Sequence, residues 1–371
     1  SAIRVTVQLI RADNGYDLWS KTYDRNVRDI FKVQDEIATA VVSALKAQLL
    51  PAQGISNRHH TESTEAYAQY LIGNRFRYQD TPESNRQALA AYQKAITLDP
   101  GYAAAYAALS DAEWRIADEV TGDAAGYTRA QAAAEKAIAL APDSPEGYWA
   151  RGLYRYASAF DWQGAEADLK HALALEPNFA PARSEYAGLL ATLGQLPAAI
   201  VEMNKALLVD PLSGPSSYRL AHFLLAAGRR EEARRVGQRM VEGNIPGAPE
   251  VTGYVALLSG DAQRADLEFR MEPLHMVQLY TRASSQFSLG HQSASDRLLA
   301  ELVRDYATTQ AYQIAEAYAW RGEKDKAFEW LQTAYRQHDR GMTEVGFDPL
   351  LAKLRDDPRY QSLLRQMKLP G

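Results

Sequence analysis

Apolar residues along most of this chain recur three and four positions apart, and the runs come in pairs that close on a turn proline. Four segments show the pairing most plainly. They are 88–95 before Asp99-Pro100, 130–137 before Pro142, 165–172 before Pro177 and 199–206 before Pro211. Successive prolines in this set lie 42, 35 and 34 residues apart. Alanines seven apart let two helices approach closely, and a proline five positions after the second alanine stops the helix that carries it. The pattern predicts a mainly α chain in which antiparallel helix pairs stack into a solenoid over residues 63–340.

The pairs vary along the chain. The first, over 63–99, has Gly73 and Ala88 as its small positions and an insertion around Pro82. The second, over 102–141, is expanded through Val120–Gly126, and the next two have standard length. The fifth keeps Ala221, Gly228 and Ala233 but has Gly237 where a bulky residue is usual. The pattern weakens over 246–275, restarts at Leu279, and is nearly complete at Ile314, Ala315, Tyr318, Gly322, Ala327, Leu331 and Ala334. Six to eight repeats are therefore expected, with 341–371 capping the last through a short helix over 358–367. These residues resemble the tetratricopeptide repeat, whose pairs wind into a right-handed superhelix.

Ahead of the repeats the period changes from 3.6 to 2. Residues 3–10 alternate apolar and polar, Asn14-Gly15 predicts a tight turn, and the return strand runs Tyr16–Tyr23. With a two-residue turn, Val5, Val7, Leu9 and Leu18 share one face, and Ile10 and Trp19 the other. A helix over 29–49 follows, striped by Ile30, Val33, Ile37, Val41, Ala44 and Leu45, and 51–62 reads as a linker. A hairpin and one helix cannot bury a core, so residues 1–50 form a partial α/β module that needs a partner. Its exposed edge suits homodimerisation.

The segments Arg4–Ile10, Gly15–Ser20, Tyr23–Arg25 and Ile30–Ile37 resemble the second half of the TolB-like amino-terminal domain of bacterial regulatory proteins. The stretch from Phe347 through Leu364 is similar to the tail of the same family. The resemblance implies an effector upstream: a winged-helix DNA-binding domain of the CadC/OmpR type, a class III nucleotide cyclase or a protein kinase. It implies transcriptional regulation across an inner membrane as the first expectation, with this region on the periplasmic side and a cytoplasmic place as the alternative. The opening Ser1-Ala2, almost directly before a strand, fits a chain that starts mid-protein, with any anchor or effector upstream.

Composition narrows the chemistry. A net charge of −5 argues against a nucleic-acid-binding face, and the arginines at 229, 230, 234 and 235 share their helix with Glu231 and Glu232. With no cysteine there is no disulfide and no thiolate site, and no run of 18 apolar residues occurs. His59-His60 lacks partners at ligand spacing, and no phosphate loop, Gly-x-Ser-x-Gly or His-Glu-x-x-His is present. Neither a cofactor, a metal nor an active site is expected. Asp24 and Asp35 read as a cap or surface charge.

Binding is the remaining class. In the tetratricopeptide pattern the first helix of each pair lines the concave face, and positions 2, 5, 9, 12 and 13 point into it. That rule selects Tyr70, Asn74 and Arg77, then Asp111, Trp114 and Arg115, then Trp149 and Tyr156. Further along it selects Tyr218, His222, Tyr280, Phe287, Tyr312 and Glu316. Aromatic rings with a few charges suit a peptide, a protein segment or a small ligand. The lysine-rich clamp for acidic carboxyl termini is excluded, since its positions here hold Tyr70/Asn74, Ala107/Asp111 and Trp149/Leu153. The expectation is a non-catalytic sensor region that signals to its effector, with a plain assembly scaffold or a cyclase or kinase regulatory region as alternatives.

Overall fold

The computed structural model describes residues 2–10, 17–26, 36–37, 61–79 and 81–370. Eight antiparallel helix pairs run through it. They are α1 (Thr64–Arg77) with α2 (Pro82–Leu98), α3 (Ala103–Arg115) with α4 (Ala124–Leu140), α5 (Pro145–Ala157) with α6 (Trp162–Leu175), and α7 (Ala180–Thr192) with α8 (Leu196–Val209). The second four are α9 (Gly214–Ala226) with α10 (Arg230–Glu242), α11 (Ala248–Leu258) with α12 (Ala262–Phe269), α13 (His275–Ser288) with α14 (Gln292–Tyr306), and α15 (Ala311–Arg321) with α16 (Lys324–Gln337). The weak stretch over 246–275 is a complete pair with a short second helix, so sequence degeneracy there did not cost a repeat.

Local chemistry sets the ends. Thr81 and Ser84 form a reciprocal capping box at α2, and Asp161 and Asp261 cap α6 and α12. From the fourth pair onward every first helix ends on a glycine in the left-handed region: Gly194, Gly228, Gly260, Gly290 and Gly322. The third pair has Phe160 there instead, at φ 51°. The expansion after α3 is a π-helical turn, Ile116–Thr121, stopped by Gly122 at φ 65°.

Ala88, Ala95, Ala187, Ala199 and Ala315 are fully buried at helix–helix contacts. One apolar cluster runs through the fourth to eighth pairs. Another joins α3–α7 to α15 and α16 through the carboxyl tail, so the two halves of the solenoid lie close to each other. The closeness is plain at Gly122, where an added Cβ would lie 2.9 Å from the carbonyl oxygen of Thr308.

The tail does more than cap. Two 3₁₀ turns, Arg340–Glu344 and Pro349–Leu354, precede α17 (Pro358–Gln366), and all three pack inward. The first turn crosses the concave face, where the Thr192 hydroxyl donates to the Thr343 carbonyl at 2.7 Å. Further on, the Trp162 indole donates to the Met367 carbonyl at 2.7 Å.

At the amino end, β1 (Ala2–Ile10) and β2 (Asp17–Asn26) form an antiparallel pair. Val5 lies opposite Tyr23 and Leu9 opposite Trp19, with an irregularity between Leu9 and Ile10. This is one residue off the tight-turn register, so Trp19 shares the face of Val5, Val7 and Leu9 instead of the opposite one. The Asn14-Gly15 turn, most of the helix expected over 29–49 and the 51–60 part of the linker lie outside the described residues.

Candidate functional site: a divided concave face

The concave face holds two chambers with Arg340 of the tail in the wall of both. The Arg340 guanidinium sits 5.0 Å from the Trp114 ring centre and reaches Glu185 at 3.5 Å. Glu185 in turn pairs with Arg219 at 3.0 Å. A single continuous groove is thus replaced by a partition that the chain supplies itself.

The smaller chamber has a volume of about 190 Å³ and takes Arg77, Asp111, Trp114, Arg115 and Trp149 from the expected set. Asp111 is buried, with Arg77 and Arg115 on its Oδ2. Burial opposes its charge, yet the two guanidiniums prevail and hold its pKa down at about 2. Arg77 also lies over the Trp149 ring at 5.7 Å. The Trp149 indole N–H is buried and has no partner among the described residues. The Trp114 N–H donates to Ser158 at 2.8 Å.

The larger chamber, about 460 Å³, takes Tyr218, His222, Tyr280, Tyr312 and Glu316. The Tyr218 and Tyr280 hydroxyls donate to one oxygen of Glu250, at 3.2 and 2.8 Å. The Tyr312 hydroxyl donates to Asp348 at 3.0 Å. His222 stacks on Tyr218 with ring centres 4.3 Å apart, and its Nδ1 lies 3.4 Å from Glu344. Burial works against a charged imidazole, but Glu344 outweighs it and raises the His222 pKa. Burial drives Glu250 up to about 7 and Asp339 likewise, and drives Asp118 to about 6. Glu316 is pushed well above the carboxylate range by burial and by its neighbour Asp348.

Four expected residues line neither chamber. Tyr70 packs against Tyr92 and Tyr102, at 6.0 and 5.3 Å between ring centres, and Asn74 accepts from the Tyr92 hydroxyl at 2.8 Å. Tyr92 of α2 thus engages both, and Tyr102 at the start of α3 completes the contact to Tyr70. Tyr156 is buried between Thr192 and Trp162, where the tail closes over it. Phe287 lies under Arg321 at 5.5 Å, on a contact to the next repeat.

Arg219, Tyr254, Asp118, Glu344 and Arg340 line the chambers without having been selected by position. Arg219 sits on a first helix at position 6, outside the five used by the rule, whereas Tyr254 stands at position 9 counted from Gly253, in the weak stretch to which the rule was not applied. Arg340 and Glu344 belong to the tail, which no repeat rule covers. Phe160 offered a readable signal. The Ala159-Phe160-Asp161 junction stands where later pairs have glycine, and its ring stacks on Tyr335 and His338 beside the tail, at 6.0 and 5.8 Å.

Comparison with known proteins bears on the fold. A family profile described as tetratricopeptide repeat matches residues 156–215. A Rhizobium meliloti (strain 1021) protein named "Putative adenylate cyclase 3" is 31% identical over 180 residues, which is 46% of this chain and 29% of that protein. The chain therefore spans less than a third of this relative's length. The crystal structure of the APC/C hetero-tetramer Cut9-Hcn1 superposes with a TM-score of 0.54 at 15% identity, over 90% of this chain and 59% of that one. A thermophilic tetratricopeptide protein of Thermus thermophilus gives a TM-score of 0.43 at 18% identity, over 52% of this chain and 98% of that one. The chain has the fold of a tetratricopeptide-repeat solenoid, fronted by a small antiparallel sheet.

Proposed function

We propose that this chain is the non-catalytic binding region of a bacterial regulatory protein, taking a peptide, a protein segment or a small ligand on its concave face and passing the event to an upstream effector. The observation that carries the reading is the pair of aromatic- and charge-lined chambers, walled partly by the chain's own tail. A guest in either chamber meets Arg340, and any shift of Arg340 is felt at Glu185 and Trp114 on α7 and α3. A signal of this kind needs a guest that prefers one arrangement of the tail over another.

The name of the Rhizobium meliloti relative favours a nucleotide cyclase as the effector. A winged-helix regulator, the first expectation from the TolB-like resemblance, is the alternative, and a plain assembly scaffold is the reading without switching. The β1–β2 edge is the proposed homodimer contact, and a monomeric mass by light scattering at high concentration overturns that part.

Native mass spectrometry of the chain purified from its own cells tests the main reading. The expected result is a retained peptide or metabolite that Trp149→Ala or Tyr280→Ala removes. A clean apo mass, with no protein partner in a pull-down controlled by the same variants, overturns it.

A further inference from the structure

The larger chamber is chemically lopsided. Four carboxylates line it, Asp118, Glu316, Asp339 and Glu344, against two guanidiniums, Arg219 and Arg340. Both guanidiniums are already engaged by Glu185. Glu344 has His222, but among the described residues no cation stands within ion-pair distance of Asp118, Glu316 or Asp339. Two further carboxyl groups, Glu250 and Asp348, stand behind the tyrosines.

Five tyrosines also line it: Tyr218, Tyr254, Tyr280, Tyr306 and Tyr312. Tyrosine faces attract cations, and only neutral donors meet two of the carboxyl groups: the Tyr127 hydroxyl donates to Asp118 at 3.2 Å, and the Tyr312 and Gly341 backbone N–H groups to Asp339, each at 2.9 Å. His222 is 7% exposed, and its Nε2 has no partner among the described residues, so the ring has hydrogen-bonding capacity to spare.

We propose that the larger chamber binds a small organic ammonium group, its N–H donors received by the carboxylates beside Tyr312 and its carbon skeleton held among the tyrosine rings. The inference rests on the reading of the concave face as a binding site and names the chemistry of its guest. An anion is disfavoured because both arginines are paired. A bare metal ion is disfavoured because no group of three His, Asp or Glu among the described residues could hold one. A volume of about 460 Å³ is also that of a molecular ligand. Burial is what raises the pKa of Asp118, Asp339 and Glu316, and a bound ammonium would oppose that rise.

Two sources share this chemistry: a free amine, and the side chain of a lysine in a peptide. Calorimetric titration of the intact chain separates them. The probes are butylamine, phenethylamine and a capped Gly-Lys-Gly peptide, beside the neutral isosteres butanol, phenethyl alcohol and the peptide with 2-aminoheptanoic acid in place of lysine. At least one ammonium probe is expected to saturate the chain, with its isostere about tenfold weaker or worse. Binding by the free amines or only by the lysine peptide then identifies the source.

Glu316→Gln and Asp339→Asn should each weaken binding by about tenfold. Arg235→Ala, on the outer surface of α10, should leave it unchanged. Retained near-ultraviolet dichroism shows that the variants fold. Three outcomes overturn the proposal: no saturable binding of any ammonium probe up to about 10 mM, equal binding of the neutral isosteres, or unchanged affinity in both carboxylate variants. If these occur while native mass spectrometry still shows a guest lost with Trp149→Ala, the ammonium site falls and the binding role stands.

Discussion

Phe160 adopts a backbone conformation that costs a side-chain-bearing residue roughly 1 kcal/mol, at a turn where later pairs use glycine. Its half-buried ring, stacked between Trp162, Tyr335 and His338, offsets that cost. Phe160→Ala keeps the strain and loses the ring, so it should destabilise by about 2 kcal/mol, and Phe160→Gly by about half as much. Chemical denaturation of the two variants reads the strain as their difference. Asp111 gives a pH prediction. Its folded pKa, about 2, lies below the unfolded value, so its stabilisation is full above about pH 4 and fades as pH falls towards 2. Asp111→Asn should flatten that part of the melting-temperature profile and cost about 3 kcal/mol at pH 7. Glu250 has the opposite sign. A folded pKa of about 7 means the native state binds the extra proton, so stability falls as pH rises from the unfolded value through 7. Glu250→Gln should remove that fall and raise the melting temperature at pH 8.

At the scale of elements, the helix pairs were legible because a 3.6-residue apolar period is a local property, and the alanines that set each contact lie seven apart in sequence. The register of β1 and β2 was less so, since one irregular residue after Leu9 moves Trp19 to the other face. The carboxyl tail was the least legible. Thr343 meets Thr192 across 151 positions and Met367 meets Trp162 across 205, separations that no repeat rule scores. The position rule therefore found side chains of both chambers but missed the partition between them. It also placed Tyr156 in an open groove that the tail has closed. The fit of the first tail turn is tight: a Cβ on Gly341 would overlap the Tyr312 ring. Gly341→Val should cost about 1–3 kcal/mol by overpacking, and hydrogen exchange should speed up over 340–344 before it does in α7.

For the whole molecule, the shared core of α3–α7, α15, α16 and the tail changes how the solenoid should unfold. An open array of repeats loses its ends first, because each repeat touches only its neighbours. Here the second and third pairs and the first helix of the fourth are joined to the eighth, so fluorescence and circular dichroism should report one coincident denaturant transition. Truncation after Gln337 removes Met342, Leu351, Leu354 and Leu364 from that core, and should broaden the transition or split it in two. An open superhelix behaves as a soft spring, in which strain applied at one end spreads and decays along the coil. A spring clasped across its turns transmits displacement almost undiminished until the clasp slips. For this chain, the clasp is the short turn around Arg340, so the force at which that turn lets go would set the threshold of any signal carried from one end to the other.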